Sequence, residues 1–381
     1  MTGSRRRTLP WPDTRSVFRV ELESQYPNAG DYRYRRFDLT EMPFTSDAIE
    51  VDDALQAMEL YAERGWTDGL PIVPPTEGLV AQFVEALNVL PDVVLGVEPT
   101  KGAVITAEKA AINAVMAGCK PEYMPVLAAA IDAITDPEFG LHGISVSTMG
   151  SAVLLIVNGP IASEIGMNSG VSVFGPGNRA NASIGRAIRL IIINVLGTRA
   201  GELDKATIGH AGKYAWCIAE NEELSPWDPV HVTRGRSAGS SAVTVVPGLG
   251  PFQVGQHHDD SPERILDAFI DAMFAMGPLM KDALIVLCPE HIEHFRAAGW
   301  EKAQVGQYLH EHASRSVAEW AFAGRPVAGV DPDGSELVSA LVSPESLITV
   351  VAGGGGGAWS QIIPTWTHGR GARVVTKPVL A

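Results

Sequence analysis

The middle of the chain contains a short segment rich in side chains that transfer protons or attack substrates. Few aliphatic residues interrupt it between 202 and 222, and its candidate catalytic residues are Lys205, His210, Lys213, Tyr214, Cys217 and Glu220. Histidine, lysine, tyrosine and carboxylate groups act as general acids and bases, and cysteine acts as a nucleophile. We expect acid–base chemistry here, in which Glu220 orients one of the other acid–base side chains and Cys217 is the candidate nucleophile. The alternative is a surface loop of solvated charges.

A glycine-punctuated segment before an apolar helix is the candidate site for an anion. Residues 175–181 read GPGNRAN, and the helix that follows should begin with unpaired backbone N–H groups at the positive end of its dipole. Asn178, Arg179 and Asn181 would add side-chain donors. The alternative is a tight turn in which Asn181 only caps the helix.

Three further residues are candidates for substrate binding because of their place in turns or near strands. Asp68 lies in a TDG segment, where an aspartate also serves simply to form the turn. His142 precedes a strand-like run at 144–146, where an α/β protein often places a site, although a structural histidine is the alternative. Gly355 belongs to a glycine run at 353–357, which predicts a backbone cradle for a carboxylate or phosphate, or a plain loop. A dinucleotide site does not fit, because a proline follows too soon for the required helix.

Groups of histidines raise the question of a metal site. They are His257-His258-Asp259-Asp260, the pair His291 and His294, and the pair His310 and His312. Only the second pair, three residues apart on a predicted helix, can share one helix face. No zinc-protease pattern with a carboxylate accompanies any of them. We predict no metal site, and the sequence identifies no cofactor.

The charge balance restricts the partners of the protein. The chain has 29 basic and 44 acidic residues and a net charge of -15, which disfavours nucleic acid and an anionic membrane surface. A small anionic substrate fits better, because Arg179, Arg186 and Lys205 would make one pocket locally positive. No apolar run approaches the roughly 18 residues of a membrane span, and no signal-like apolar run follows the basic start. The three cysteines show no paired spacing, so we expect a cytoplasmic protein without disulfides.

Apolar periodicity, with glycine and proline at element ends, predicts an α/β fold of mixed, mostly parallel sheets flanked by helices. Predicted helices span 51–64, 107–117, 121–134, 182–196, 261–276 and 290–298, and predicted strands span 16–22, 152–157, 242–246, 283–287 and 347–351. We divide the chain into an irregular N-terminal arm (1–47), an α/β body with the site (48–240) and a C-terminal α/β domain (241–381). The arm should pack on the body or on a neighbouring subunit, and we expect a homo-oligomer.

Five long strings resemble a bacterial protein family. They are TDGLPIVPPT (67–76), AINAVMAGCKPEYMPV (111–126), VNGPIA (157–162), GKYAWCIAENEELSPW (212–227) and VAGGGGGAWSQIIPT (351–365). Members of that family accompany, or are fused to, small (seleno)proteins named for a Sec/Cys-Gly-Ser-Cys motif. The similarity runs from about residue 60 to the C-terminal end. This chain has no Cys-Gly-Ser-Cys, so the resemblance implies that any thiol or selenol redox function lies on a separate polypeptide.

Two functions therefore stand as expectations. The first is a cytoplasmic enzyme that acts on a small, polar, carboxylated substrate by acid–base chemistry of the lyase, hydratase or hydrolase type. The alternative is a non-catalytic or half-site subunit that presents substrate to a separate thiol or selenol redox protein. Turnover of a carboxylic substrate by the purified chain alone distinguishes the first from the second.

Overall fold

The computed structural model describes residues 6–8, 44–366 and 372–380. The predicted strand at 16–22 and most of the predicted arm at 1–47 lie outside the described residues. Within the described ranges the chain forms twelve α-helices and fourteen β-strands. None of those helices is both long and apolar enough to cross a membrane.

Helices and strands alternate along most of the chain. The helices are α1 (Ala54–Glu63), α2 (Glu77–Glu85), α3 (Ala107–Ala117), α4 (Met124–Thr135), α5 (Leu141–Val146), α6 (Pro160–Glu164), α7 (Arg179–Asn194), α8 (Val230–Thr233), α9 (Pro262–Met276), α10 (Pro289–Ala297), α11 (Lys302–His312) and α12 (Val317–Phe322). The strands are β1 (Arg6–Thr8), β2 (Ile49–Val51), β3 (Val94–Val97), β4 (Val104–Thr106), β5 (Ala152–Asn158), β6 (Cys217–Ala219), β7 (Ala242–Gly248), β8 (Phe252–Gly255), β9 (Ala283–Leu287), β10 (Ser314–Ser316), β11 (Leu337–Ser339), β12 (Leu347–Val351), β13 (Trp359–Pro364) and β14 (Val375–Pro378).

Two four-stranded sheets form the centre of the protein. The first sheet has the order β14-β7-β5-β6, and the second has the order β12-β9-β13-β8. One pair in each is parallel, β5 with β6 and β9 with β12, and the remaining neighbours are antiparallel. The α/β class with mixed sheets is therefore as predicted, although antiparallel neighbours outnumber parallel ones. They do so because β7 and β13 run against the central strands β5 and β9, and the edge strands β14 and β8 run against β7 and β13.

The two sheets stack face to face, and helices cover their outer faces. Successive side chains of a strand point to opposite faces of a sheet. In β5, Leu154 and Ile156 pack in a core shared with the second sheet, whereas Leu155 and Val157 pack in a core shared with α3, α4 and α7. The outer face of the second sheet packs in the same way against α9, α10, α11 and α12. The architecture is a four-layer α/β/β/α sandwich.

The sheets are built alike and exchange their edge strands. In each, a central strand has a parallel neighbour on one side, and on the other an antiparallel neighbour followed by an antiparallel edge strand. The strand that follows β7 in the chain, β8, lies in the second sheet, and the strand that follows β13, β14, lies in the first. The predicted boundary between residues 240 and 241 thus comes directly before β7, a strand of the first sheet.

The carboxyl ends of the parallel strands from both sheets meet at one edge of the sandwich. The backbone N–H of Asn221, just after β6, donates to the carbonyl of Val351 at the end of β12 (2.7 Å). The amino ends of β5 and β6 and the carboxyl end of β7 lie at the opposite edge, where the Ser151 hydroxyl donates to the Gly248 carbonyl (3.3 Å). The candidate residues before β6 and those after it are therefore at opposite edges.

Two of the differences between the predicted elements and those found affect candidate site residues. The central helix begins at Arg179 rather than at 182, because the Asn178 side chain accepts the backbone N–H of Asn181 and caps the helix three residues earlier. The prediction of a strand-like run at 144–146 is wrong. These residues belong to the short helix α5, in which Leu141 and Ile144 are both buried. Their spacing of three is the helical period, which a run of three residues could not reveal.

Candidate active site

A cleft of about 610 Å³ opens at the edge of the sandwich where β6 begins. Its walls come from the turn after α1, the C-terminal half of α7 and the loop that precedes β6. We term it the basic cleft, defined by Asp68, Arg189, Arg199, Asp204, His210 and Lys213. Tyr214 also lines it and is 52% exposed at its mouth. Four of the residues predicted from the sequence therefore share this cleft: Asp68, His210, Lys213 and Tyr214.

Asp204 is the buried centre of the basic cleft. The Lys213 ammonium lies 2.9 Å from its Oδ1 and 2.7 Å from its Oδ2, and Nη2 of Arg189 lies 3.1 Å from Oδ2. Burial raises the pKa of this carboxyl. Hydrogen bonds from Lys213 and from the backbone of Ala206, together with the charges of both cations, outweigh burial and hold the pKa below its ordinary value of 3.8. Asp204 is therefore ionised at neutral pH, and two cations share its one negative charge.

Local structure explains why these three groups converge. Arg189 lies on α7 three residues after Arg186, so both arginines project from the same side of the helix. The 199–204 turn closes through backbone hydrogen bonds from Gly201 to Asp204 (3.0 Å) and from Asp204 to Arg199 (3.0 Å). A single 3₁₀ turn at Ala211–Lys213 then brings the lysine back over the carboxylate.

Burial changes the protonation of Lys213. Desolvation lowers its pKa, and Arg189 contributes in the same direction, while the hydrogen bond and charge of Asp204 oppose the shift. The net pKa lies below the ordinary lysine value of 10.5. A lysine in this state gives up and recovers its proton more readily near neutral pH than an exposed lysine does.

His210 supports the turn that carries Lys213. Its Nδ1 accepts the backbone N–H of Gly212 (3.2 Å), so the neutral ring carries its proton on Nε2. Burial lowers the pKa of His210, the Gly248 carbonyl opposes this, and the charge of Lys213 adds to the decrease. The net pKa is below 6.5, so the imidazole is neutral at pH 7. Nε2 is buried.

Asp68 holds one wall of the cleft in place. Its Oδ2 accepts Nε of Arg186 (2.7 Å), and its Oδ1 accepts Nη2 of the same guanidinium (2.8 Å) and the backbone N–H of Leu70 (3.2 Å). Arg186 also donates to the Pro71 carbonyl (2.9 Å). Asp68 thus forms the turn and ties it to α7 through a bidentate ion pair.

The charges that line the cleft balance, although the protein as a whole is acidic. Counting Lys213 as protonated, the described cations of the lining are Arg189, Arg199 and Lys213, and its carboxylates are Asp68, Glu202 and Asp204. Arg186, which is not part of the lining, pairs with Asp68. The whole chain has a net charge of -15, so the cleft is less negative than its surroundings.

The other candidates near β6 lie outside the cleft lining. Lys205 is exposed and donates to the Gly201 carbonyl (2.7 Å). Cys217 is buried in the first sheet, and burial raises the pKa of its thiol far above 9.0, so it is a poor nucleophile. All three cysteines are free and buried. Glu220 lies at the opposite edge of the sandwich, where it accepts hydrogen bonds from Asn158 and Val230.

The predicted anion segment makes hydrogen bonds with the chain itself. Asn178 caps α7 and donates to the Gly166 carbonyl (2.8 Å), and Asn181 pairs with the backbone of Asn168. Arg179 donates to the carbonyls of Gly118 (2.9 Å) and Cys119 (3.1 Å) at the end of α3. Arg179 and Arg189 are ten residues apart on α7, or about 15 Å. Anion binding by this segment stays a prediction, separate from the basic cleft.

Two more candidates lie away from the cleft. His142 is half-buried in α5 and does not lie at a strand end. The prediction placed it wrongly because residues 144–146 were predicted to form a strand. Gly355 lies in the loop after β12, at the edge opposite the cleft, and a Cβ there would meet no other atom within 4 Å. Backbone binding by this loop stays a prediction.

The described residues contain no group of three or more histidine, cysteine, aspartate or glutamate side chains that could hold a metal ion. The predicted helical pair does not converge. His291 is buried against the Ser360 hydroxyl (2.7 Å) and the Gln256 carbonyl (3.1 Å), whereas His294 faces Asp260 at 3.7 Å.

Three residues of the cleft were not among the predicted site residues: Arg189, Arg199 and Asp204. The alternative interpretation of the segment as a surface loop treats Asp204 as a solvated charge, but the residue is buried. One signal was available, because Arg186 and Arg189 interrupt an otherwise apolar helix at a spacing of three. Two arginines on one face of a buried helix indicate a carboxylate partner or an anion.

Comparisons with models of known families, with curated proteins and with solved structures found no match.

Proposed function

We propose that the protein is an enzyme that binds a small carboxylated substrate in the basic cleft and transfers a proton through Lys213. The observation that carries this proposal is the shared carboxylate of Asp204. Two cations converge on one buried anion, and one of them is a lysine whose pKa is lowered by burial. Removal of a proton beside a carboxylate, as in elimination or hydration, is the chemistry that fits this set.

Each group in the cleft has a distinct role in this proposal. The guanidinium groups of Arg189 and Arg199 orient the substrate carboxylate through charge-assisted hydrogen bonds. Lys213 accepts the substrate proton in its neutral form and returns it in its charged form. Asp204 fixes the direction of the ammonium group. His210 is a positioning residue, because its Nδ1 caps the turn that carries Lys213.

The proposal extends to the setting of the enzyme. A net charge of -15 supports a small molecule rather than a polyanion as the partner. A cytoplasmic location, a homo-oligomeric state and membership of the bacterial family with Sec/Cys-Gly-Ser-Cys companions are parts of the same proposal. Light scattering of the purified chain, and its co-purification partners from the host, test them.

Turnover by the purified chain tests the central claim. A panel of small hydroxy-, unsaturated and dicarboxylic acids is incubated with the protein, and products are followed by NMR. We expect Lys213→Met to lower turnover by about two orders of magnitude, the usual effect of losing an acid–base group. Lys205→Met is the matched control, because this neighbouring lysine is exposed, and it should keep full activity. Equal losses in both variants, or turnover only after addition of a redox protein, would contradict the proposal.

A further inference from the structure

A second cavity, of about 520 Å³, lies between α8, the first turn of α11 and the start of β12. We term it the α11 cavity. Lys302 lines it together with Trp227, Val230, Arg234, Leu347 and Ile348. It shares no lining residue with the basic cleft. It therefore offers a separate place for a ligand.

Among the described residues, Lys302 is the one lysine in the wall of the α11 cavity. Its Nζ donates to the backbone carbonyl of Asp228 (2.9 Å), which holds the amine in the wall without neutralising it. Burial lowers the pKa of Lys302 below 10.5, and the charges of Glu220 and Asp228 oppose this shift. A desolvated lysine whose neutral form is accessible is the usual state of an amine nucleophile.

Glu220 lies directly behind the cavity wall. Its Oε2 accepts Nδ2 of Asn158 (2.7 Å) and the backbone N–H of the wall residue Val230 (2.8 Å). Its Oε1 is buried and has no hydrogen-bond partner among the described residues. Burial raises the pKa of Glu220, while Lys302 and the two N–H donors oppose the shift. Because Oε2 already accepts two hydrogen bonds, a proton on this carboxyl resides on Oε1.

We propose that Lys302 forms a Schiff base with a small uncharged aldehyde or ketone in the α11 cavity, and that Glu220 exchanges the protons. The neutral Nζ attacks the carbonyl carbon, a C–N bond forms, and the π electrons move to the oxygen. The oxygen takes a proton from Glu220, and the nitrogen returns one to it. Loss of water, assisted by a second proton cycle, leaves the C=N bond, so the balance is one amine and one carbonyl to one imine and one water.

The cavity walls identify the class of carbonyl compound. They carry three carboxylates, Asp228, Glu301 and Glu345, against two cations, Arg234 and Lys302. This excess of negative charge opposes a keto acid. The side chains of Trp227, Leu347 and Ile348 offer apolar surface instead. An uncharged carbonyl compound with a short apolar chain is therefore the ligand that fits.

Reductive trapping tests this proposal on the unmodified full-length protein. Butyraldehyde and sodium cyanoborohydride are added at pH 7.5, and modified lysines are located by peptide mass spectrometry. We expect butylation of Lys302 to be faster than that of the exposed Lys101, because the lowered pKa of Lys302 increases its fraction of neutral amine. Glyoxylate, an anionic aldehyde, should label Lys302 more slowly than butyraldehyde does.

Two variants refine the test. Glu220→Gln keeps the size of the side chain and an oxygen for Asn158, but it removes the exchangeable proton, so Lys302 labelling should slow. Lys302→Arg should remove the fast-labelling site and leave turnover in the basic cleft unchanged, which separates this proposal from the first. Labelling of Lys302 no faster than Lys101 in the unmodified protein would overturn the proposal, whatever the variants do. Unchanged labelling in a folded Glu220→Gln protein would overturn the role of Glu220.

Discussion

The Lys213 ammonium contacts both carboxylate oxygens of Asp204, at 2.9 and 2.7 Å, in the wall of the basic cleft. An ion pair at this depth fixes the position of the lysine, and it makes the charge state of the aspartate important for folding as well as for function. Arg189 donates a hydrogen bond to the same carboxylate.

Asp204→Asn should lower the free energy of unfolding at pH 7 by about 2 kcal/mol, the value of hydrogen bonds to a charged group. The folded pKa of Asp204 is depressed, so its stabilisation is complete above the unfolded value of 3.8 and is lost as pH falls through the folded pKa. Urea unfolding at pH 7 and pH 3 measures this. The stability difference between the two proteins should shrink at pH 3, and a constant difference would contradict the assignment.

His210→Asn should retain most of the turnover, because an asparagine oxygen can accept the Gly212 N–H and cap the same turn. His210→Ala removes the cap and should lower both turnover and stability. Steady-state kinetics of the two variants, with thermal unfolding beside them, distinguish a positioning residue from a proton-transfer group. A loss of about two orders of magnitude in a stable His210→Asn protein would assign the proton transfer to the histidine instead.

The pH dependence of turnover should follow Lys213. Its pKa is lowered by burial, so the apparent pKa that the pH–rate profile assigns to this lysine should be below the ordinary lysine value of 10.5. We refer to the part of the profile that reports this pKa as the lysine limb. Replacement of Arg189 by Gln removes a neighbouring positive charge and should move this limb to higher pH. The measurement is kcat against pH for both proteins. An unshifted limb would mean that another group titrates.

Arg179→Ala should lower the free energy of unfolding by about 1 kcal/mol, because its guanidinium binds two carbonyls at the end of α3. It should leave ligand binding in the basic cleft unchanged. Arg264→Ala is the control, since Arg264 is 66% exposed and its ion pair with Asp267 should contribute little. Chemical denaturation gives the stability of each protein. Weakened binding of the carboxylated substrate by Arg179→Ala would restore the anion site predicted from the sequence.

The sequence was sufficient for elements with a strong local signal. The helix at 107–117 and the strands at 283–287 and 347–351 have the predicted bounds. The helix ends at a glycine, and each strand is a short apolar run that proline or glycine follows within two residues. The exchange of β8 and β14 could not be predicted, since strand pairing depends on contacts between residues far apart in the chain.

The same limit applies to the site. His210 and Lys213 were recognisable from their residue types and close spacing, and both line the cleft. Glu220 was grouped with them because it follows a few residues later, but β6 intervenes and carries it to the opposite edge. Lys302 went unnoticed because nothing in its local sequence shows that the chain folds back to place it beside Asp228. Burial, which shifts the pKa of each of these groups, is a property of the fold as a whole.

The exchange of edge strands also determines when each sheet can be completed during synthesis on the ribosome. The first sheet needs β14, so β7 keeps an unpaired edge until the second half of the chain has been made. Such an edge can pair with other chains, and a nascent protein must be shielded from that outcome. The second sheet is complete slightly earlier, once β13 has been made, because β8 pairs with β13. The first sheet, at whose edge the basic cleft opens, is thus the first to be started and the last to be completed.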